Sequence, residues 1–142
     1  MTLASQATPT AHGTPISREA YQPGICNIGP AEIARRRRAG HVGLGAAIVL
    51  LAGLVAIGAS PPVRLLVALP AAAAASGYLQ ARFRFCAGFG SRGIYNFGEL
   101  GQTHDVEDAD ARRSDRARAT QIGLASLAIG AAVGLVAVGL PL

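Results

Sequence analysis

Lysine and tryptophan are both absent from this 142-residue chain. Aromatic residues make up 5% of it and charged residues only 15%, against roughly a quarter charged in an ordinary soluble domain. Two cysteines, Cys26 and Cys86, are too few for a disulfide scaffold. No acidic residue falls within any of the long uncharged runs. Acids inside membrane helices mark proton relays and ion sites, so their absence argues against a pump, an ion-coupled transporter or a channel acting alone. What remains is apolar and small: 51% hydrophobic residues, with 18 glycines. Such side chains fill a soluble core poorly and suit helices packed closely in lipid. A soluble globular enzyme and a fully disordered chain are both disfavoured.

The apolar residues are concentrated in three runs. The first, Ala39–Val63, carries no formal charge and predicts a span over about 40–60. At about 1.5 Å rise per residue it is long enough to cross a hydrocarbon core of about 30 Å. Ser60-Pro61-Pro62 ends it, since two prolines cannot continue the hydrogen-bond ladder. The second, 65–81, is shorter, alanine-rich and interrupted by Pro70. The brief Pro61–Arg64 connector forces these two spans into an antiparallel hairpin. The third run, 119–142, predicts another span that continues directly from a charged helix over 98–118. The fold expected is thus an all-α integral membrane protein: a transmembrane hairpin plus a third transmembrane helix. Residues 1–25, rich in Thr, Ala, Ser, Pro and Gly without an apolar run, read as a disordered tail and not as a signal peptide.

All the basic residues are arginines, and the formal net charge is +5. Their placement sets the threading. Arg35, Arg36, Arg37 and Arg38 stand just before the first span, and all but one of the 13 arginines fall on the same side. Only Arg64 falls on the other. Cytoplasmic span ends carry the arginine excess, so the N-terminus and the 82–118 loop are expected inside and the C-terminus outside, in an inner (plasma) membrane. Because threading accounts for the arginines, and six acids share their loop, nucleic-acid binding is disfavoured. The bilayer is the partner expected first, with a homo-oligomer or a larger membrane complex as further partners.

Before the first span, Pro30 suits the first turn of a helix, and Glu32 sits favourably near its positive end. Ile28 and Ile33 are placed to dip into the interface from a short surface helix. Within 82–118, the early part alternates glycine with aromatics and reads as a loop on the lipid headgroups. The later part places its acids early and its arginines late, matching the helix dipole, with Asp108 and Arg112 spaced to pair.

Candidate chemistry is confined to Cys26 and Cys86, which the hairpin brings to one reducing side. As a pair they could carry a persulfide, bind a soft metal or cycle between thiol and disulfide. Nearby arginines would favour thiolate. Equally, each could be a small, partly apolar interface residue. His41 and His104 match no zinc spacing, and no pair of histidines lies within the spans to ligate haem. No metal or cofactor is expected. Gly88, Gly90 and Gly93 superficially fit G-x-G-x-x-G, but they follow a membrane span where a dinucleotide fold needs a buried strand. Ser126, Gly130 and Gly134 recur every four residues, a ridge on which another helix can dock, within the monomer or between protomers. Looser small positions in the first span are Gly45, Ala52, Ala56 and Ser60.

Asn27-Ile28-Gly29, the basic lead-in Arg35–Arg38 with Gly40, Phe85-Cys86, and Gly93-Ile94-Tyr95-Asn96 together resemble the YgaP-like small inner-membrane hairpin domain. That domain is known in bacteria partly as a tail fused to rhodanese sulfurtransferases. The resemblance covers about residues 26–97. It implies a two-span hairpin whose opening Asn-Ile-Gly and closing Phe-Cys motifs lie on the cytoplasmic side. This chain departs from the pattern at Ala87, where a proline usually follows the cysteine, and at Tyr95, which interrupts a Gly-Ile-Asn run. It also has no rhodanese domain and adds a third span. These departures weaken any inference of sulfur transfer. The function expected is a small non-catalytic membrane protein acting through helix packing. The alternative is a membrane-tethered thiol protein using Cys86 and Cys26.

Overall fold

The computed structural model of the chain describes residues 20–141. Three helices in it are long and apolar enough to cross a membrane. α1 runs Pro30–Ala56, a 3-10 helix Pro61–Val67, α2 Ala68–Arg82, α3 Ala87–Arg92 and α4 Ala109–Gly139. Two short strands, β1 (Ile94–Tyr95) and β2 (His104–Asp105), pair antiparallel with Ile94 opposite Asp105. The helical expectation thus holds, with this small sheet added.

α1 starts with Pro30 in its first turn, where a missing N–H costs nothing, and continues unbroken through the four arginines into the apolar run. The short surface helix expected over this segment is instead the first part of α1. α1 ends at Ala56, before the expected Ser60-Pro61-Pro62 stop. Gly58 adopts φ +64, and the Ala59 amide bonds back to the Leu54 carbonyl at 2.8 Å. Such a left-handed closure satisfies carbonyls left over at a helix end. The two prolines instead open the 3-10 helix. Pro70 falls in the first turn of α2, so its missing N–H breaks little of the ladder.

α2 is the central helix and packs on both α1 and α4. Its contact with α1 is made backbone to backbone. A Cβ on Gly43 would come within 2.6 Å of the Ala74 amide nitrogen. One on Gly77 would strike the backbone of Gly40, and one on Gly40 would meet the Tyr78 ring at 2.9 Å. The expected Gly45, Ala52, Ala56, Ser60 positions are not this seam: nothing lies within 4 Å of a Cβ built at Gly45, and Ala52, Ala56 and Ser60 are exposed. The seam is rotated away from them, onto Gly40, Gly43, Ala47 and Leu54, all buried.

α4 packs its small ridge against α2 of the same chain. A Cβ on Gly130 would lie 2.6 Å from both the Ala68 carbonyl oxygen and the Ala72 methyl, and one on Gly134 would lie 2.9 Å from the Ala68 methyl. Ser126 is buried, its hydroxyl donating to the Ile122 carbonyl at 2.7 Å. Of the two docking modes left open for this ridge, the monomer occupies the internal one.

The charged helix begins at Ala109 and not near residue 98; 98–108 is loop and β2. Asp108 caps it, accepting from the Ala111 amide at 2.8 Å. Arg112 donates to the Val106 carbonyl at 3.0 Å, so the Asp108–Arg112 side-chain pair is replaced by a cap and a loop tie. From there α4 runs without a break through the apolar run.

At the turn end, Arg64 is buried. It donates to the Ala59 carbonyl at 3.2 Å and to the Leu140 carbonyl at 3.1 Å, tying the ends of α1 and α4 to the hairpin turn.

Candidate functional site at the arginine-rich end

At the opposite end, the segments flanking the helices fold into a head with its own core. Ile28, Phe85, Cys86, Phe89, Tyr95 and Val106 are all buried there. Chains crossing one another away from water need internal partners for their amides. The segment 27–29 therefore threads between two others. The Asn27 and Ile28 amides donate to the Arg84 carbonyl at 3.2 and 3.4 Å. The Gly29 amide donates to the Asn96 carbonyl at 2.8 Å, and the Asn96 amide to that of Asn27 at 3.0 Å. Arg84 has φ 52, a left-handed conformation uncommon outside glycine. Gly29 leaves no room for a side chain, because a Cβ there would lie 2.8 Å from the Phe97 carbonyl.

Two asparagines complete the weave, both 0% exposed. Asn27 grips the backbone of Cys86: its Nδ2 donates to the Cys86 carbonyl at 3.1 Å, and its Oδ1 accepts the Cys86 amide at 2.7 Å. Asn96 serves its own turn, donating to the Glu99 carbonyl and accepting the Gly98 amide, each at 2.8 Å. Gln80, which carried no signal in the sequence, is also buried. It accepts the Ala87 amide at 3.0 Å and donates to the Ser76 hydroxyl at 2.8 Å.

Cys86 lies at the centre and is 1% exposed. Its Sγ caps α3, accepting the Phe89 amide at 3.4 Å, and also accepts from the Arg36 guanidinium at 2.8 Å. Arg36 in turn lies 3.7 Å from the Glu32 carboxylate, which also has Arg35 at 3.6 Å. Glu32 is itself 1% exposed. Arg36 thus differs from its neighbours: Arg35, Arg37 and Arg38 are exposed, whereas Arg36 reaches into the head and rests against the Phe89 ring at 5.9 Å. Its position four residues after Glu32 was the signal that could have marked it.

Cys26 stands apart. It is half-buried, with its Sγ 3.8 Å from the Ile28 carbonyl, and both cysteines are free. Burial pushes its thiol above the ordinary range, more than the Ile28 contact and the charge of Arg84 pull it down. Among the described residues no hydrogen bond joins the two cysteines. Arg36 reaches the Cys86 sulfur, and the arginine setting fails to favour thiolate at Cys26.

The segment before Cys26 is held as well. The expected tail over 1–25 lies outside the described residues for 1–19, but from Tyr21 onward the chain is fastened to α4. Asp115, 0% exposed, accepts the Tyr21 hydroxyl and the Gly24 amide, both at 2.7 Å. Tyr21 also stacks on Tyr95 at 4.9 Å. The glycine and aromatic stretch after α2, expected as a loop, is likewise a packed element that includes α3. Phe85, Phe89 and Tyr95 are buried, and Gly93 at φ +70 closes α3. Ile28 belongs to this core too, where the sequence suggested an interfacial position; Ile33 and Ile94 pack against it.

All the motif residues Asn27, Ile28, Gly29, Phe85, Cys86, Gly93, Ile94 and Asn96 meet in this head. His41 lies below it, its Nδ1 2.7 Å from the Tyr78 hydroxyl, and His104 stacks on Tyr95. Among the described residues, no group of three or more His, Cys, Asp or Glu is arranged to hold a metal ion. Compared with family models, curated proteins and solved structures, the chain matches none.

Proposed function

We propose that this chain is a small, non-catalytic, multi-pass protein of the inner membrane, with its N-terminus and arginine-rich head cytoplasmic and its C-terminus outside. It acts by packing against itself or a larger membrane partner. The observation carrying the non-catalytic reading is the state of Cys86. Its sulfur is sealed at 1% exposure, and its lone pairs are engaged by the Phe89 amide and by Arg36. A reactive thiol needs access as well as thiolate character. Here the cysteine serves as the cap of α3 and as the point gripped by Asn27. The likeness of the motif residues to the YgaP-like hairpin domain belongs to the same reading: those residues build a structural head on a hairpin.

One contact favours the second reading, a thiol protein handling sulfur or redox signals through Cys86 and Cys26. Arg36 donates to Sγ at 2.8 Å, which sets a guanidinium directly against this sulfur. Labelling kinetics separate the two. In purified, folded protein at neutral pH, a small thiol reagent is expected to modify Cys26 slowly and Cys86 only on unfolding. Rapid modification of Cys86 in the folded chain, or a Cys86-dependent mass shift under sulfide or peroxide stress, would replace the first reading with the second.

A further inference from the structure

Between α1 and α4, with α2 as its floor, runs a cleft of about 300 Å³. Leu44, Ile48 and Leu51 form one wall, and Ile129 and Val133 the other. Tyr78 lies at the end nearer the arginines. Towards the turn end the cleft runs into a buried cluster that includes Leu54, Val67 and Ala137. It is thus an apolar slot between membrane-length helices, packed shut at one end.

The helical repeat places charge at the other end. On α1, the stripe Leu51, Ile48, Leu44 continues at spacings of three and four to His41 and Arg37, with Arg38 beside it. On α2, the stripe of Ala75 and Tyr78 continues one turn further to Arg82. Arg37, Arg38 and Arg82 are exposed and make no ion pair among the described residues. Neither stripe carries a carboxylate. The rim between slot and charge is polar, formed by the His41–Tyr78 contact.

We propose that this slot is a binding site for an anionic glycerophospholipid. One acyl chain lies in the cleft, its glycerol level with His41 and Tyr78, and its phosphate rests on Arg37, Arg38 and Arg82. The apolar slot alone would accept a chain from any lipid. The three arginines at its mouth supply the preference, since a basic residue near a membrane surface attracts anionic headgroups by about fivefold each.

The test uses the full chain in a neutral detergent, offered an equimolar mixture of phosphatidylglycerol and phosphatidylcholine and read by native mass spectrometry. One phosphatidylglycerol should be retained per chain in preference to phosphatidylcholine. Replacing Arg37, Arg38 and Arg82 together with glutamine should lower that preference by about fivefold per arginine, with retention of phosphatidylcholine, whose choline offsets its phosphate charge, falling much less. Ile48→Trp, on an exposed position of the wall, should reduce retention of both lipids. Arg113→Gln, in an exposed pair with Asp110, should change neither. Equal retention of the two lipids would overturn the site, as would a preference that survives the triple change or falls equally with Arg113→Gln. Retention of a second copy of the chain in place of lipid, lost with Ile48→Trp, would also overturn it and assign the cleft to a protein contact. Detergent has no inside or outside, so this experiment can fail while the proposed orientation stands, and the reverse.

Discussion

Asn27 ties two distant segments of the head together. Both of its polar atoms serve the backbone of Cys86, fifty-nine residues away. Asn27→Ala would leave the buried Cys86 amide without a partner, worth about 1–3 kcal/mol, while the Cys86 carbonyl keeps the Gly90 amide at 2.9 Å. The expected loss is about 1–3 kcal/mol, measured as a lower unfolding midpoint in detergent. Asn27→Asp should lose less, because it keeps an acceptor for the Cys86 amide. Tyr21 offers a pH handle. Burial and the neighbouring Asp115 carboxylate push its hydroxyl far above the usual 10.0. A group that folding keeps protonated contributes its stability in full below its unfolded value and loses it as the pH climbs from there towards the folded value. The clasp on Asp115 should therefore hold at neutral pH and weaken in strongly alkaline solution. Tyrosinate absorbance, compared between wild type and Tyr21→Phe, should show this residue ionising late. At this scale the sequence was informative about which residues matter and silent about how. Asn27 and Asn96 stood out only through the resemblance, since nothing in composition distinguishes a buried asparagine from a turn asparagine. Gln80 and Asp115 gave no signal, because their partners lie far away in sequence.

Among the elements, the three long helices were legible, because an uncharged run of membrane length admits few other structures. Their ends were less so. The turn at Gly58 stops α1 before the prolines can, and Asp108 starts α4 later than the charge pattern suggested. The contact faces were the least legible. In lipid there is no polar side to mark the opposite of a buried one, so glycine at Gly45 and glycine at Gly43 look alike in sequence. Only the crossing with α2 distinguishes them. The Ser126, Gly130, Gly134 ridge was visible as a docking face, but its partner was not. With Ala68 and Ala72 pressed onto Gly130, Gly130→Ile should wedge α4 away from α2 at a cost of about 1–3 kcal/mol. Leu135→Ile, on an exposed position, should be nearly silent. Thermal unfolding of the full chain in detergent reads the difference. Equal midpoints would mean that α4 does not rest on α2 through this ridge.

Taken whole, the molecule divides its polar and apolar residues by position along the helices. Large side chains such as Val42, Val49, Leu69, Leu127 and Leu135 are exposed around the helical part, a costly arrangement in water and an ordinary one in lipid. Beyond one end, Arg64 ties helix termini together. Beyond the other, a head stitched by asparagines and capped by Cys86 carries the remaining described arginines. That asymmetry is the basis for the proposed threading, since arginine excess marks the cytoplasmic side. The most direct test places single reporter thiols on the two sides, in a chain whose own cysteines are replaced by serine. Ser60→Cys lies in the exposed hairpin turn, and Thr103→Cys in the exposed head loop. Treated on intact cells with an impermeant thiol reagent, the Ser60→Cys chain should be labelled and the Thr103→Cys chain should not, with the latter becoming reactive in inverted vesicles. Labelling of Thr103→Cys from outside intact cells would contradict the orientation, and labelling of both from one side would contradict the hairpin itself.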